Sequence, residues 1–117
     1  MSKKNLAKIR LSVTEVQGIV KAIKEVLTER EIPLKGILLY LDGSRTKMNR
    51  KGGDIDVVLE IPENLFKTCR EFEIKFLVAI YARIGEQKID LLIRSKKAPL
   101  TEFESVAFKN RILLKKW

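Results

Sequence analysis

Apolar residues recur at two spacings along this chain, and each change of spacing marks a new element. Between residues 13 and 30 they recur every three or four positions, which predicts an amphipathic helix. Ser12 or Thr14 can cap its start, and Pro33 closes the connection that follows. Residues 36–41 form an unbroken apolar run of strand length, which predicts a central strand buried on both faces.

The middle of the chain predicts two further strands that flank a second helix. Residues 54–61 alternate strictly between polar and apolar positions, as a strand with one buried face does. Residues 64–83 return to helical spacing, and Gly85 ends that helix. Residues 88–94 alternate again and predict the third strand. Cys69 lies on the core face of the second helix, which favours a buried position over a role as nucleophile.

The end of the chain contains a capping signal. Pro99 and Thr101 open a short helix that continues to about Lys109, with Thr101 as N-cap and Glu104 at the capping-box position. Residues 112–114 form either a last short strand or an apolar tail. This order of elements fits an α+β fold, or α/β sandwich, in which helices back one small mixed sheet.

Length and composition narrow the chemistry that is open to the chain. Its 117 residues suit a single domain over positions 1–117. The absence of histidine excludes His-ligated zinc and a Ser-His-Asp triad, and one cysteine excludes an internal disulfide. Catalysis would have to use carboxylates, hydroxyls, lysines and a hard cation such as Mg²⁺ or Mn²⁺. We see no membrane-spanning run and no signal peptide, so we expect a soluble, cytoplasmic protein without a membrane partner.

The net charge of +9 predicts attraction to phosphates, whether on nucleotides, on nucleic acid or on an acidic partner. It is equally typical of a solvated, lysine-rich surface. Nucleic acid is a possible partner, but the sequence contains no RNA-binding aromatic pair or other reader motif.

Acidic residues gather on one face of the predicted second strand. Alternation places Asp54 and Asp56 opposite the apolar face. Glu60 shares their face near the strand end, which favours a surface role over metal binding. If the third strand lies beside the second, Asp90 joins the two aspartates. Three carboxylates at one point suit two metal ions about 3.5–4 Å apart. The alternative is a charged strand edge that discourages edge-to-edge pairing.

The connection between the first two strands is rich in glycine and basic residues. Gly43 and Ser44 directly follow the buried first strand, and glycine lets a backbone approach a phosphate closely. Arg45 adds a guanidinium suited to phosphate oxygens. An ordinary hairpin loop with solvated lysines is the alternative, and a Gly-Ser pair alone is a weak signal.

The combined pattern is more specific than its parts. An apolar strand, a Gly-Ser pair, an Asp-x-Asp strand and a later strand aspartate resemble the minimal nucleotidyltransferases of the DNA polymerase β superfamily. The resembling stretches are LLYLDGSRTKMNRKGGDIDVVLEI and KIDLLI. They cover about residues 36–94.

The resemblance implies a role for each of these residues. Gly43 and Ser44 would hold the nucleotide phosphates, and Arg45 would neutralise phosphate charge. In this family the strand carboxylates, here Asp54 and Asp56, bind two Mg²⁺ or Mn²⁺ ions. The later carboxylate completes the site and helps to activate the acceptor hydroxyl, a role that falls on Asp90.

One position departs from the family pattern. The family often has serine directly before the first aspartate, where this chain has Gly53. Loss of that serine could weaken nucleotide binding without removing the metal ligands.

The implied function is transfer of a nucleoside monophosphate, AMP from ATP, to a hydroxyl group, with release of pyrophosphate. The chain is too short for an acceptor-binding domain of its own, so a partner would supply the acceptor. Small members of this family pair with helical HEPN-type proteins, as antitoxins that can AMPylate the toxin. The alternatives are a non-catalytic antitoxin subunit that masks its partner by contact, and an enzyme that modifies nucleic acid.

Overall fold

Three helices and four strands make up the part of the chain that the computed structural model describes, which comprises residues 11–41, 55–85, 87–102, 104–105 and 111–117. The helices and strands are α1 (Val13–Glu29), β1 (Leu38–Leu41), β2 (Ile55–Ile61), α2 (Glu63–Glu71), α3 (Glu73–Ile84), β3 (Ile89–Ser95) and β4 (Ile112–Lys116). Among these helices, none combines the length and the apolar character that a membrane crossing requires.

The four strands form one mixed sheet in the order β3-β2-β1-β4. Strands β2 and β3 are parallel, and β1 is antiparallel to both β2 and β4. Because a parallel pair needs a crossover, the chain passes through α2 and α3 between β2 and β3. The predicted α+β fold, with helices that back a small mixed sheet, is confirmed.

The helices and one face of the sheet share a single apolar core. Helix α1 contributes a stripe at helical spacing, in which Ile19, Ile23 and Leu27 are fully buried. Strand β2 contributes every second side chain from Ile55 to Ile61, and all four are buried, as its alternation predicts. We call this surface of the sheet the core face and the opposite surface the second face.

Two capping boxes begin helical segments where the sequence predicts them. The backbone N–H of Glu15 donates to Ser12 Oγ at 3.1 Å, and the Ser12 N–H donates to the Glu15 carboxylate at 3.1 Å. Ser12, rather than Thr14, is therefore the cap of α1. Thr101 and Glu104 exchange the same two bonds at 3.0 Å each. Residues 102, 104 and 105 are helical, and the predicted continuation to Lys109 lies outside the described residues.

The single helix predicted over residues 64–83 is wrong, because the chain breaks at Phe72 into α2 and α3. The Phe72 backbone has φ −103° and ψ 16°, and its N–H donates to the carbonyl of Cys69. Helix α2 packs against β2 and β3, whereas α3 packs mainly against α1. One straight helix could not meet both surfaces. The half-buried Phe72 ring fills the corner, with the Arg30 guanidinium 4.7 Å from its centroid.

The predicted burial of the first strand on both faces is also wrong, although its central place in the sheet is right. Leu39 and Leu41 are fully buried on the core face, whereas Leu38 and Tyr40 are half-buried on the second face. Among the described elements, α1, α2 and α3 pack their apolar residues into the core on the core face. Residues 112–114 belong to a strand, β4, which extends to Lys116 and pairs with β1.

We expect Phe76→Ala to lower the free energy of unfolding by about 3–5 kcal/mol, because its ring is fully buried between α3 and the core. The matched control is Ile74→Ala on the same helix, where the side chain is 72% exposed. That change should cost less than about 1 kcal/mol. Denaturant unfolding monitored by circular dichroism measures both values. Equal losses for the two variants would contradict the packing of α3.

Candidate functional site

Two of the three predicted carboxylates lie side by side on the second face. Asp56 on β2 and Asp90 on β3 are register partners in the parallel pair. Partners in neighbouring strands have side chains on the same face and backbones about 4.8 Å apart. Asp56 is half-buried and Asp90 is exposed. The third strand therefore lies beside the second, and Asp56 and Asp90 share one face, as the sequence analysis expects for adjacent strands.

The other predicted site residues are Gly43, Ser44, Arg45 and Asp54, and all four lie outside the described residues, as does Gly53. Within the described ranges, no three carboxylate or cysteine side chains come together as a metal-binding group. Of the predicted three-carboxylate centre, the described residues therefore show only how Asp56 and Asp90 lie relative to each other.

The last residue of β1 and the first residues of β2 lie next to each other, at the end of the sheet where Asp56 and Asp90 lie. Leu41, the last residue of β1, pairs with Val57, whose chain neighbour is Asp56. The sequence leaves β1 at Leu41 and re-enters the sheet at Ile55. The segment predicted to bind phosphate therefore connects two adjacent strands at the end where Asp56 and Asp90 lie.

A cluster of charged residues further along the second face was missed by the sequence analysis. Glu60 accepts a hydrogen bond from Arg111 Nη1 at 3.1 Å, and Arg94 Nη1 lies 3.8 Å from the same carboxylate oxygen. The sequence favours a surface role for Glu60 over metal binding, and the structure shows its side chain 13% exposed and paired with arginines. The strand register explains the first of these contacts, because Glu60 on β2 pairs with Arg94 on β3. Arg111 directly precedes β4, and its side chain extends to Glu60.

The Tyr40 ring packs against Arg111. The Arg111 guanidinium lies 3.8 Å from the centroid of the Tyr40 ring, a cation–π contact. Tyr40 pairs with Val58, which lies between Asp56 and Glu60 on the second face. The aspartate pair and the charged cluster thus occupy one continuous surface of the sheet.

The segment after β3 folds over this surface near Arg94. Arg94 donates through Nη2 to the carbonyl of Ala98, and its side chain is only 7% exposed. The pKa of the Glu104 carboxyl is lowered, first because it accepts the backbone N–H of Thr101 and further because Arg94 lies nearby. Arg94 is therefore held by the Glu60 carboxylate and the Ala98 carbonyl.

No single sequence signal marks the cluster. Arg94 ends the alternating pattern of the third strand, and Arg111 precedes an apolar run like many other basic residues of this chain. Glu60 could be placed on the aspartate face by alternation. Its arginine partners could not, because they depend on which strands are neighbours.

Comparison with known proteins assigns no family to this arrangement. A scan against protein-family models finds no match, and neither does a search of curated proteins. The chemistry of the site is therefore inferred from its own residues.

Cys69 is part of the core and not of the site, as predicted. Its side chain is fully buried, and burial raises the pKa of the thiol from 9.0 to about 11. At neutral pH the native protein should therefore hold the uncharged thiol, which is the unreactive form.

We expect Cys69 to resist a water-soluble disulfide reagent at pH 8 in the folded protein and to react fully once denaturant unfolds the chain. The rate of thiol release, followed by absorbance, measures this protection. The same protein in denaturant serves as the control. Rapid labelling under native conditions would contradict the burial of Cys69.

Proposed function

We propose that this protein is a metal-dependent nucleotidyltransferase that transfers AMP from ATP to a hydroxyl group on a partner protein. The observation that supports this most directly is the register of the parallel strands, in which Asp56 and Asp90 are partners on the second face. The proposal extends the resemblance of the sequence to minimal nucleotidyltransferases of the DNA polymerase β superfamily.

Paired carboxylates on neighbouring strands favour a bound cation. Two negative charges this close repel each other, and a divalent cation between them offsets that repulsion. The available donors are oxygen atoms, because the whole sequence has no histidine and its one cysteine is in the core. Oxygen donors suit Mg²⁺ or Mn²⁺.

The residues that would hold the ions are Asp54, Asp56 and Asp90. Asp54 is bonded directly to Ile55, the first residue of β2, and precedes Asp56 by two positions. When bound, two such ions would neutralise the charge that develops on the phosphate oxygens and lower the pKa of the attacking hydroxyl.

The residues that follow β1 in the sequence are suited to the phosphates. Gly43 and Ser44 follow Leu41 by two and three positions, and the end of β1 lies beside the start of β2. Glycine and serine can present backbone N–H groups and a hydroxyl to an anion, and Arg45 adds a charged donor.

The transfer itself is a displacement at the α-phosphorus of ATP. The acceptor oxygen forms a bond to that phosphorus, and the bond from phosphorus to the oxygen that bridges to the β-phosphate breaks. Pyrophosphate leaves with that oxygen. The hydroxyl proton passes to the Asp90 carboxylate and then to water, which is feasible because Asp90 is exposed.

We propose that another molecule supplies the acceptor, as the resemblance implies. By resemblance, a helical HEPN-type protein is the proposed partner, as in toxin–antitoxin pairs whose antitoxin modifies the toxin. A purely binding antitoxin would neutralise the same partner without using Asp56 or Asp90.

We expect Asp56→Asn and Asp90→Asn each to reduce AMP transfer by at least about a hundredfold, because each removes a charge that the metal ions require. The assay uses α-labelled ATP, Mg²⁺ and the product of the neighbouring gene. Label on that product is the readout, and chelation of Mg²⁺ should abolish it.

Glu71→Gln is the matched control, because it removes one carboxylate charge at the exposed end of α2, away from the second face. It should leave transfer unchanged. Partner neutralisation that persists fully in the Asp56→Asn/Asp90→Asn double variant, together with no labelling by the wild type, would favour the binding antitoxin instead.

A further inference from the structure

Five exposed lysines gather at the end of the sheet opposite the aspartate pair. At this end the first residue of β1 lies beside the last residues of β2 and β4, and β3 ends beside β2. We call the five residues the lysine cluster: Lys35 before β1, Lys96 and Lys97 after β3, and Lys115 and Lys116 at the end of β4. The cluster therefore joins residues that lie far apart in the sequence.

Contacts at Gly36 bring parts of the lysine cluster together. The Gly36 N–H donates to the carbonyl of Trp117 at 3.3 Å, which places Lys35 beside the end of β4. A Cβ at Gly36 would lie 3.7 Å from Lys96 Nζ, so the Lys96 ammonium group lies close to the same backbone. The backbone N–H of Lys96 donates to the Ile61 carbonyl at 2.9 Å, which fixes the chain after β3 at this end of the sheet. Positive charges from three segments are thus held close to one another.

The charge of the lysine cluster is not balanced by ion pairs. Within the part of the chain that the structure describes, none of the five ammonium groups forms an ion pair or a hydrogen bond. Two carboxylates lie at this end of the sheet: Glu60 is paired with Arg94 and Arg111, and Glu63 accepts a hydrogen bond from Ser95. The lysines therefore repel one another, and a polyanion that binds them offsets this repulsion.

The type and spacing of these residues favour a nucleic acid over a protein partner. Protein–protein interfaces are depleted in lysine and centre on apolar side chains, whereas nucleic-acid interfaces are strongly positive. The sheet end from β3 to β4 spans three strand spacings, about 14 Å. Over that length one nucleic-acid strand presents about four phosphates, a number that the cluster can match.

We infer that the lysine cluster binds the phosphate backbone of a nucleic-acid strand, at a site separate from the aspartate pair. Lysines are point charges on flexible stems, so they contact phosphates without reading the bases. Ile61, at the cluster end of β2, lies about 17 Å along the strand from Asp56. The inference therefore does not depend on the proposed nucleotidyl transfer.

The test measures binding of a fluorescently labelled single-stranded RNA of mixed sequence by anisotropy, over a range of salt concentrations. The variant Lys35→Gln/Lys96→Gln/Lys116→Gln removes one charge from each of the three segments. We expect it to weaken binding about tenfold or more at low salt. The slope of log affinity against log salt concentration should fall by about 2, because each phosphate contact on a single strand contributes about 0.7. An unchanged slope, or no RNA binding by the wild type, would overturn the inference.

A second triple variant, Lys24→Gln/Arg70→Gln/Lys75→Gln, is the matched control, because it removes the same charge from exposed positions on α1, α2 and α3. It should bind RNA with the wild-type slope. Both triple variants should unfold thermally like the wild type, since all six side chains are exposed. Equal losses in the two variants would mean that net charge alone attracts RNA, and the cluster would then have no specific role.

Other ligands test the chemical class of the partner. A single-stranded DNA of the same sequence should bind with the same slope, because the phosphates and not the 2′-hydroxyl groups are contacted. Binding of RNA but not DNA would contradict recognition of the backbone. Polyglutamate should not displace the RNA, and displacement at equal charge concentration would replace the nucleic acid with an acidic protein partner.

The Asp56→Asn/Asp90→Asn variant separates this inference from the proposed function. It should bind RNA no more weakly than the wild type, whether or not the wild type transfers AMP. Loss of RNA binding in that variant would place the RNA at the aspartate pair and overturn the separate site. Loss of AMP transfer with RNA binding retained would leave both proposals in place.

Discussion

The parallel pairing of β2 with β3 is the interaction on which the other features of this structure depend. It places Asp56 beside Asp90 and Glu60 beside Arg94, so both charged groups of the second face are set by one register. A shift by one residue would turn every side chain of a strand to the opposite face. The apolar residues of β2 and β3 prevent such a shift, because it would expose them and bury the carboxylates.

The same pairing explains the shape of the helical layer. Parallel neighbours require a crossover, and α2 with α3 provides it. The break at Phe72 lets the first part of the crossover cover β2 and β3 while the second part packs on α1. The three helices thereby cover the core face.

Two charged groups follow one another along the strands of the second face. The aspartates lie at the end where β2 and β3 begin, and the arginines gather four residues further along, around Glu60. Tyr40 lies next to both groups. Its ring packs against Arg111, and its backbone pairs with Val58 on β2, the strand that contains Asp56.

The sequence by itself determined most of the elements, a cap for α1 at Ser12 or Thr14, the cap at Thr101 and the core face of β2, because spacing and capping are local properties of the chain. It also placed Asp56 on the polar side of its strand. Only the tertiary structure decided that Asp90 is its partner, that the crossover helix breaks at Phe72 and that β4 pairs with β1. The tertiary structure also decided the Glu60–Arg94–Arg111 cluster, because its residues are distant in sequence and the order of the strands brings them together.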